Sequence, residues 1–196
     1  MRMDGPLTAE RVRPLLAGRF GRDVWRWFES CPSTQLELMP DDADGAVAVA
    51  EEQTAGRGRL GRAWHAPPGT SILCSVLLRP DAEPARLPEL TVLGARAVGD
   101  AIGAVTGLEP TIKHPNDVLV RGRKVAGVLG EARDGVVVVG IGVNANVSAA
   151  DLPAETRLPA TSLLVERAEP VDRARLLAQI LGELEARYDA WRRWPM

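Results

Sequence analysis

Three arginines stand within six residues of one glycine-rich segment, GRGRLGRAW over 56–64: Arg57, Arg59 and Arg62. A guanidinium is a permanently charged planar fork that matches the geometry of a phosphate or a carboxylate. Glycine lets the backbone take unusual angles and come close to a ligand. The segment therefore reads as a loop that holds an anion, with Trp64 two residues after Arg62 and able to cover a flat ring. Without an anion the three charges repel one another. Residues 54–66 are thus expected to form a mobile flap that closes over its ligand.

Lysine is a second signal. Of 24 basic residues only Lys113 and Lys124 are lysines, and they stand on either side of His114-Pro115-Asn116-Asp117. An ammonium is a compact point charge on a flexible stem, suited to an oxygen that moves as a bond forms. Asparagine is equally scarce, at Asn116, Asn144 and Asn146. X-Pro-Asn-Asp is also ordinary turn chemistry, so Asn116 and Asp117 are open to a purely structural reading. Ser33 and Thr34 precede QLELM and could cap a short helix. Neither His65 nor His114 has a partner at metal-ligand spacing, and Cys31 and Cys74 lie far apart; Cys74, inside an apolar run, is expected in the core.

GRGRLG also fits G-x-G-x-x-G. A dinucleotide-binding turn needs a strand before it and a helix opening at the third glycine. The next residues, RAWHAPPGTS, carry Pro67, Pro68 and Gly69, which stop a helix. A Walker loop fails too, because no Gly-Lys-Ser/Thr occurs.

The elements that must position these residues follow from periodicity. Residues 7–16 read as a short helix capped by Thr8, with Pro14 near its end, and 23–30 as a strand. The flap is bracketed by apolar strands at 45–53 and 71–79. Residues 84–107 have helical periodicity and close on Gly107. Three strands then follow, in TIKHPNDVLV, KVAGVLGEAR and GVVVVGIGVNAN, the last two preceded by turns at 121–123 and 133–135. After a loop and a short helix, residues 170–194 form a long amphipathic helix with Pro170 in its first turn. Short hairpins between the middle strands argue against an all-parallel sheet. The fold class is α/β in the α+β sense: a mixed, largely antiparallel sheet flanked by helices.

Composition sets the bounds. With 196 residues, 45% hydrophobic and 26% charged, one catalytic-size domain over 1–196 is expected. A net charge of −2 gives no sign of nucleic-acid binding. The N-terminus lacks the apolar core of a signal peptide, and the longest apolar run, 135–143, is too short to span a bilayer, so a cytoplasmic location is expected.

GRGRLGRAW (56–64) resembles the GRGRxGRxW signature of biotin protein ligases. The likeness extends, in the family's order and spacing, to STQ (33–35), EEQTAGRGR (51–59), KHPNDVLV (113–120), RKVAGVLGE (123–131) and GIGVNAN (140–146). It implies a catalytic domain related to class II aminoacyl-tRNA synthetases. Such enzymes join biotin and ATP, with Mg²⁺, into biotinyl-5′-adenylate and pass the biotinyl group to a lysine of a biotin carboxyl carrier protein. On this resemblance Ser33, Thr34 and Gln53 contact the ureido ring, helped by the backbones of Gly56 and Gly127. Arg57 and Arg59 line the ligand, Arg59 toward the phosphate, and Lys124 touches both carboxylate and phosphoryl oxygens. Arg62, Trp64, Lys113, Asn116, Gly140, Gly142 and Asn144 serve the nucleotide. Asp117 positions nucleotide and metal, and orients or deprotonates the incoming lysine. No dedicated protein metal site is implied; Mg²⁺ comes with ATP, near Asn116 or Asp117.

The sequence departs from the family at three places. His114 replaces the usual tryptophan of K-W-P-N-D, and Gln35 stands where many members have asparagine. The ends lack room for the helix-turn-helix of bifunctional members and for the usual small C-terminal β-barrel, so neither is expected. A lipoate–protein ligase shares the fold but would carry an RRxSGGGxV-type segment in place of the arginine loop. A non-catalytic binder of biotin or its adenylate is the alternative outside enzymes.

Overall fold

The computed structural model describes residues 4–154 and 156–193. The first helix is shorter than its periodicity suggests. Helix α1 covers Ala9–Val12 and tightens into a 3-10 turn over Arg13–Leu15, where Pro14 has no N–H to continue the ladder. Thr8 holds the N-cap position, but its side chain makes no capping bond.

Strand β1 covers Trp25–Phe28, and β2 (Val47–Ala50) and β3 (Ile72–Leu78) bracket the flap as expected. After a 3-10 turn at Pro84–Arg86, helix α2 runs over Glu89–Thr106 and ends on Gly107 at φ +72°, a left-handed cap open to glycine at no steric cost. Strands β4 (Thr111–Lys113), β5 (Asp117–Val120), β6 (Arg123–Arg133) and β7 (Val136–Val143) complete the sheet. The β5–β6 and β6–β7 turns place Arg121-Gly122 and Asp134-Gly135 at positive φ, the two-residue geometry that matches strand twist.

Strand order is β1-β2-β3-β7-β6-β5-β4. Only β1 and β2 pair in parallel; every other neighbour is antiparallel, so the sheet is mixed and largely antiparallel. One face carries Val47, Val49, Cys74, Val76, Val128, Val139 and Ile141 into a core shared with α2 and the last helix. The other face buries a smaller set, Ala46, Ala48, Leu77, Val136 and Val138, beneath Leu38.

One short and one long helix close the C-terminal half. Helix α3 covers Leu163–Arg167, with Ser162 Oγ accepting from the Val165 N–H. Helix α4 covers Arg173–Arg192 and starts later than residue 170, because Asp172 accepts from the N–H groups of Ala174 and Arg175 and so sets the first turn. Pro170 precedes the helix, and Trp194 lies outside the described residues. Arg173, fully buried, is held by the carboxylates of Asp4 (2.6 Å) and Glu51 (3.0 Å) and by the Ser71 carbonyl (3.0 Å). Through Glu51 and Ser71 it ties both roots of the flap to α4. Among the described residues no helix is long and apolar enough to cross a membrane.

Candidate active site

The end of β2, the flap and the carboxyl half of β7 meet on one side of the sheet. A narrow slot of about 50 Å³ lies there, between Ser33, Thr34, Gln53, Gly127, Gly140 and Gly142. A wider cavity of about 590 Å³ opens beside it, bounded by the flap, His114–Asp117, Asn144 and the segment around Arg157 and Leu158. Gly58, Arg59, Trp64, Asn116 and Lys124 line both. The cations therefore stand where slot and cavity join.

The closed end of the slot is polar. The Thr34 N–H and hydroxyl both donate to Gln53 Oε1, at 2.8 and 3.0 Å, and Thr34 Oγ1 lies 2.8 Å from Ser75 Oγ. With its carbonyl end turned to Thr34, Gln53 presents its NH₂ toward Gly56. This overturns the capping reading: Thr34–Leu36 is a 3-10 turn, and Ser33 at its N-cap makes no side-chain capping bond. The two residues keep their polar atoms at the slot instead. Gln35 reaches past Gly140 and donates to the carbonyls of Leu129 (3.1 Å) and Val138 (3.4 Å), a span its extra methylene permits.

The flap forms a small hairpin. Trp64 N–H donates to the Gly56 carbonyl (2.9 Å), Gly58 N–H to Arg62 (2.7 Å), and Arg57 pairs with Ala63. At its tip Leu60 is left-handed, with φ 60°, and 83% exposed. The hairpin lays the Trp64 indole on two glycines: a Cβ at Gly142 would lie 2.6 Å from the ring, and one at Gly127 3.1 Å. Lys124 Nζ sits 5.5 Å from the indole centroid, and the indole N–H is buried without a partner.

Arg57, Arg59 and Lys124 each have an anionic or polar side-chain partner. Arg57 pairs with Glu131 on β6 (3.0 Å). Arg59 donates to Asn116 Oδ1 (3.3 Å), whose amide nitrogen in turn donates to the Val128 carbonyl (3.1 Å). Lys124 Nζ meets Asp117 Oδ1 at 2.6 Å. In the antiparallel β5–β6 pair Asp117 is opposite Gly127 and Lys124 opposite Leu119, so the two charged side chains meet diagonally across the register irregularity at Val118/Leu119. Arg62 lines the wide cavity. Asn144 lines it too, though its amide donates to the Thr161 carbonyl (3.0 Å), so it also holds the wall in place.

Two proposed residues lie elsewhere. Lys113 is exposed on edge strand β4 and lines neither cavity. Gly56 is at the flap's root, where a Cβ would lie 2.4 Å from the Trp64 carbonyl oxygen, so its part is to permit the hairpin. Conversely, Glu131, Arg157 and Glu166 carry no sequence signal that sets them apart; Glu131 is one of four charged residues on β6, beside Arg123, Lys124 and Arg133. Cys74 borders the slot, but burial pushes its thiol up to about 12, and burial pushes that of Cys31 up to about 11. Neither supplies a thiolate nucleophile near neutral pH. Among the described residues no three His, Cys, Asp or Glu side chains are grouped to hold a metal.

A narrow polar-ended slot that shares Arg59 and Lys124 with a wider cavity can bring two anions of different shape together. A solved relative holds such a pair of ligands. A biotin protein ligase from Aquifex aeolicus, solved with biotin and ATP, superposes with a TM-score of 0.77 at 32% identity, over 87% of this chain and 72% of that one. A biotin–[acetyl-CoA-carboxylase] ligase of Mycobacterium tuberculosis is 37% identical over 202 residues, 93% of this chain and 74% of that protein. A bifunctional ligase/repressor BirA of Bacillus spizizenii is 42% identical over 165 residues, 81% of this chain but only 51% of its own length, so the chain spans about half of that relative. The biotin/lipoate A/B protein ligase family matches residues 27–148, from within β1 through the end of β7 and including Arg57, Arg59, Arg62 and Lys124. Because the match takes in the sheet, the flap and the cations at the junction together, the chain belongs to the biotin/lipoate A/B protein ligase family.

Proposed function

We propose that this chain is an ATP-dependent biotin protein ligase. The observation that carries the reading is the junction itself, where Lys124 and Arg59 line both the narrow slot and the wide cavity. The bicyclic ring of biotin takes the slot, with its ureido edge at Thr34, Gln53 and Ser33. ATP takes the wide cavity, and the biotin carboxylate and the α-phosphate meet at the cations.

In the first step a carboxylate oxygen attacks the α-phosphorus, the bond to the β-phosphate breaks, and pyrophosphate leaves. The electrostatic obstacle is large: two unit charges about 4 Å apart repel by about 4 kcal/mol at a partly buried site. Lys124 between them offsets that repulsion, and Arg57, Arg59 and Arg62 hold phosphoryl oxygens as charge develops. Asp117 keeps the Lys124 ammonium aimed into the junction. The glycines at 127 and 142 let ligand and Trp64 lie against the backbone. In the second step the amine of the carrier lysine attacks the acyl carbon, AMP leaves, and Asp117 receives the amine's proton. Asp117 and Asn116 are the oxygen donors that would hold Mg²⁺ carried in with ATP, where it would supply charge neutralisation to the phosphates.

The test supplies biotin, ATP with Mg²⁺ and an apo-biotin carboxyl carrier domain, and measures pyrophosphate and carrier mass. Pyrophosphate release that needs biotin, followed by a biotinylated carrier lysine, is expected. Release without biotin, a preference for lipoate over biotin, or no transfer at high enzyme concentration would refute it.

A further inference from the structure

We infer that Glu166 is a positioning residue for Lys124 and for the wall of the nucleotide cavity, an inference that rests on the ligase reading above. Lys124 is not held only by its β-strand neighbours. Its N–H donates to the Pro159 carbonyl (2.7 Å) and its carbonyl accepts from the Thr161 N–H (2.8 Å), a parallel bridge to Ala160. The segment so attached, with Arg157, Leu158 and Ala160, bounds the wide cavity. The place of the cation and the shape of the cavity wall are therefore one geometric quantity.

Glu166 sits at the outer end of this bridge. Its carboxylate is fully buried. One oxygen accepts from the Thr161 hydroxyl (2.5 Å) and meets Arg123 at 2.7 Å; the other meets Arg121 at 3.1 Å. Arg123 directly precedes Lys124 and Thr161 directly follows Ala160, so the carboxylate grips both chains beside the bridge. Thr161 extends the grip, since its carbonyl accepts from the Asn144 amide (3.0 Å). A carboxylate with no exposure is costly unless fully paired, and here all its partners come from the turn before Lys124 and the cavity wall. It lines neither the slot nor the wide cavity. Its effect on the reaction must pass through Lys124 and the segment at 157–160.

The amide in Glu166→Gln keeps the size but offers N–H groups to partners that are themselves donors, so it loosens the bridge without a change of volume. The experiment uses the full chain and biotin-dependent ATP–pyrophosphate exchange, varying ATP at saturating biotin, together with biotin affinity by calorimetry and thermal unfolding. E166Q is expected to lower kcat/KM for ATP by about tenfold to a hundredfold, the scale of a misplacement near 1 Å, with biotin affinity unchanged. Glu166→Asp, which keeps the charge for two flexible arginines, is expected to recover part of that loss. Thr161→Val, which removes one hydroxyl and leaves both arginine pairs, is expected to shift the same parameter less. Wild-type kcat and KM in E166Q would overturn the inference, and so would equal losses in biotin affinity and in ATP kinetics that follow the unfolding temperature. If E166Q does not fold, T161V decides: an altered KM for ATP supports the role, an unaltered one overturns it. If the wild-type chain exchanges no pyrophosphate at all, the ligase reading falls and takes this inference with it.

Discussion

Gly142→Ala tests how the flap closes. Gly142 on β7 is in ordinary extended backbone, so alanine carries no conformational strain there, and the strand pairs with Leu73 and Gly127 through main chain only. The new methyl, however, would stand 2.6 Å from Trp64 Cε2 and 2.8 Å from Cζ2. Ordinary carbon contacts begin near 3.4 Å, so the indole must retreat by most of an ångström. A clash of this kind in a packed site costs about 1–3 kcal/mol. The sheet is rigid and the indole rides on a short hairpin, so the flap gives way and the cost falls on its closed form. At about 1.4 kcal/mol per decade, the affinity for biotin drops roughly five- to 150-fold, while the unfolding temperature barely moves. Calorimetry with biotin reads the first quantity and a thermal melt the second. Arg57, Arg59 and Arg62 add a third readout, because trypsin cuts the flap there when it is open. Wild-type affinity combined with wild-type trypsin resistance in G142A would refute the packing of Trp64 on β7 as the closing contact.

Three further outcomes are expected. In the wild type, biotin with a non-hydrolysable ATP analogue slows tryptic cleavage at Arg57–Arg62; equal cleavage with and without ligand would show that the flap does not close on its ligand. Lys124→Ala lowers adenylate formation about 10²- to 10³-fold, the scale of losing one charge-stabilising group, with little change in urea midpoint; wild-type pyrophosphate release in the mutant removes Lys124 from the chemistry. Stability falls on acidification. Burial pushes the Glu51 carboxyl up, but the Leu7 N–H, Arg173 and Trp27 outweigh it and hold the group below its ordinary value; the Arg26 hydrogen bond does the same for Asp42. Both lower the folded-state value, so their stabilisation is complete above the unfolded carboxyl range and is lost as pH falls below about 4. Urea unfolding from pH 7 to 3 should show that loss, with a shallower slope in Glu51→Gln; an equal slope would remove Glu51 from the acid response.

Much of the fold was legible because its signals are local. The β-hairpins at Arg121-Gly122 and Asp134-Gly135 follow from turn chemistry, and the left-handed stop of α2 from Gly107. The rejection of a helix after Gly61 followed from Pro67 and Pro68, and Thr70–Ser71 lead straight into β3. Element ends were less legible. α1 stops at Val12 and α4 starts at Arg173, because caps and proline decide the last turn more than periodicity does.

Within the site, the role expected of Asp117 came from the family resemblance, while residue types and spacing by themselves marked the arginine-glycine loop and the scarce Lys124 as candidates to hold an anion. That much is chemistry of side chains and short-range backbone preference. Only the tertiary structure decided who faces whom. Thr34 turns to Gln53 and Ser75 and does not cap a helix; Lys113 falls on an exposed edge; Glu131 and Glu166, 74 and 5 residues from their Arg57 and Thr161 partners, become neighbours of the site. Strand order and register set those meetings, and a one-residue slip of β6 would turn Lys124 to the other face of the sheet.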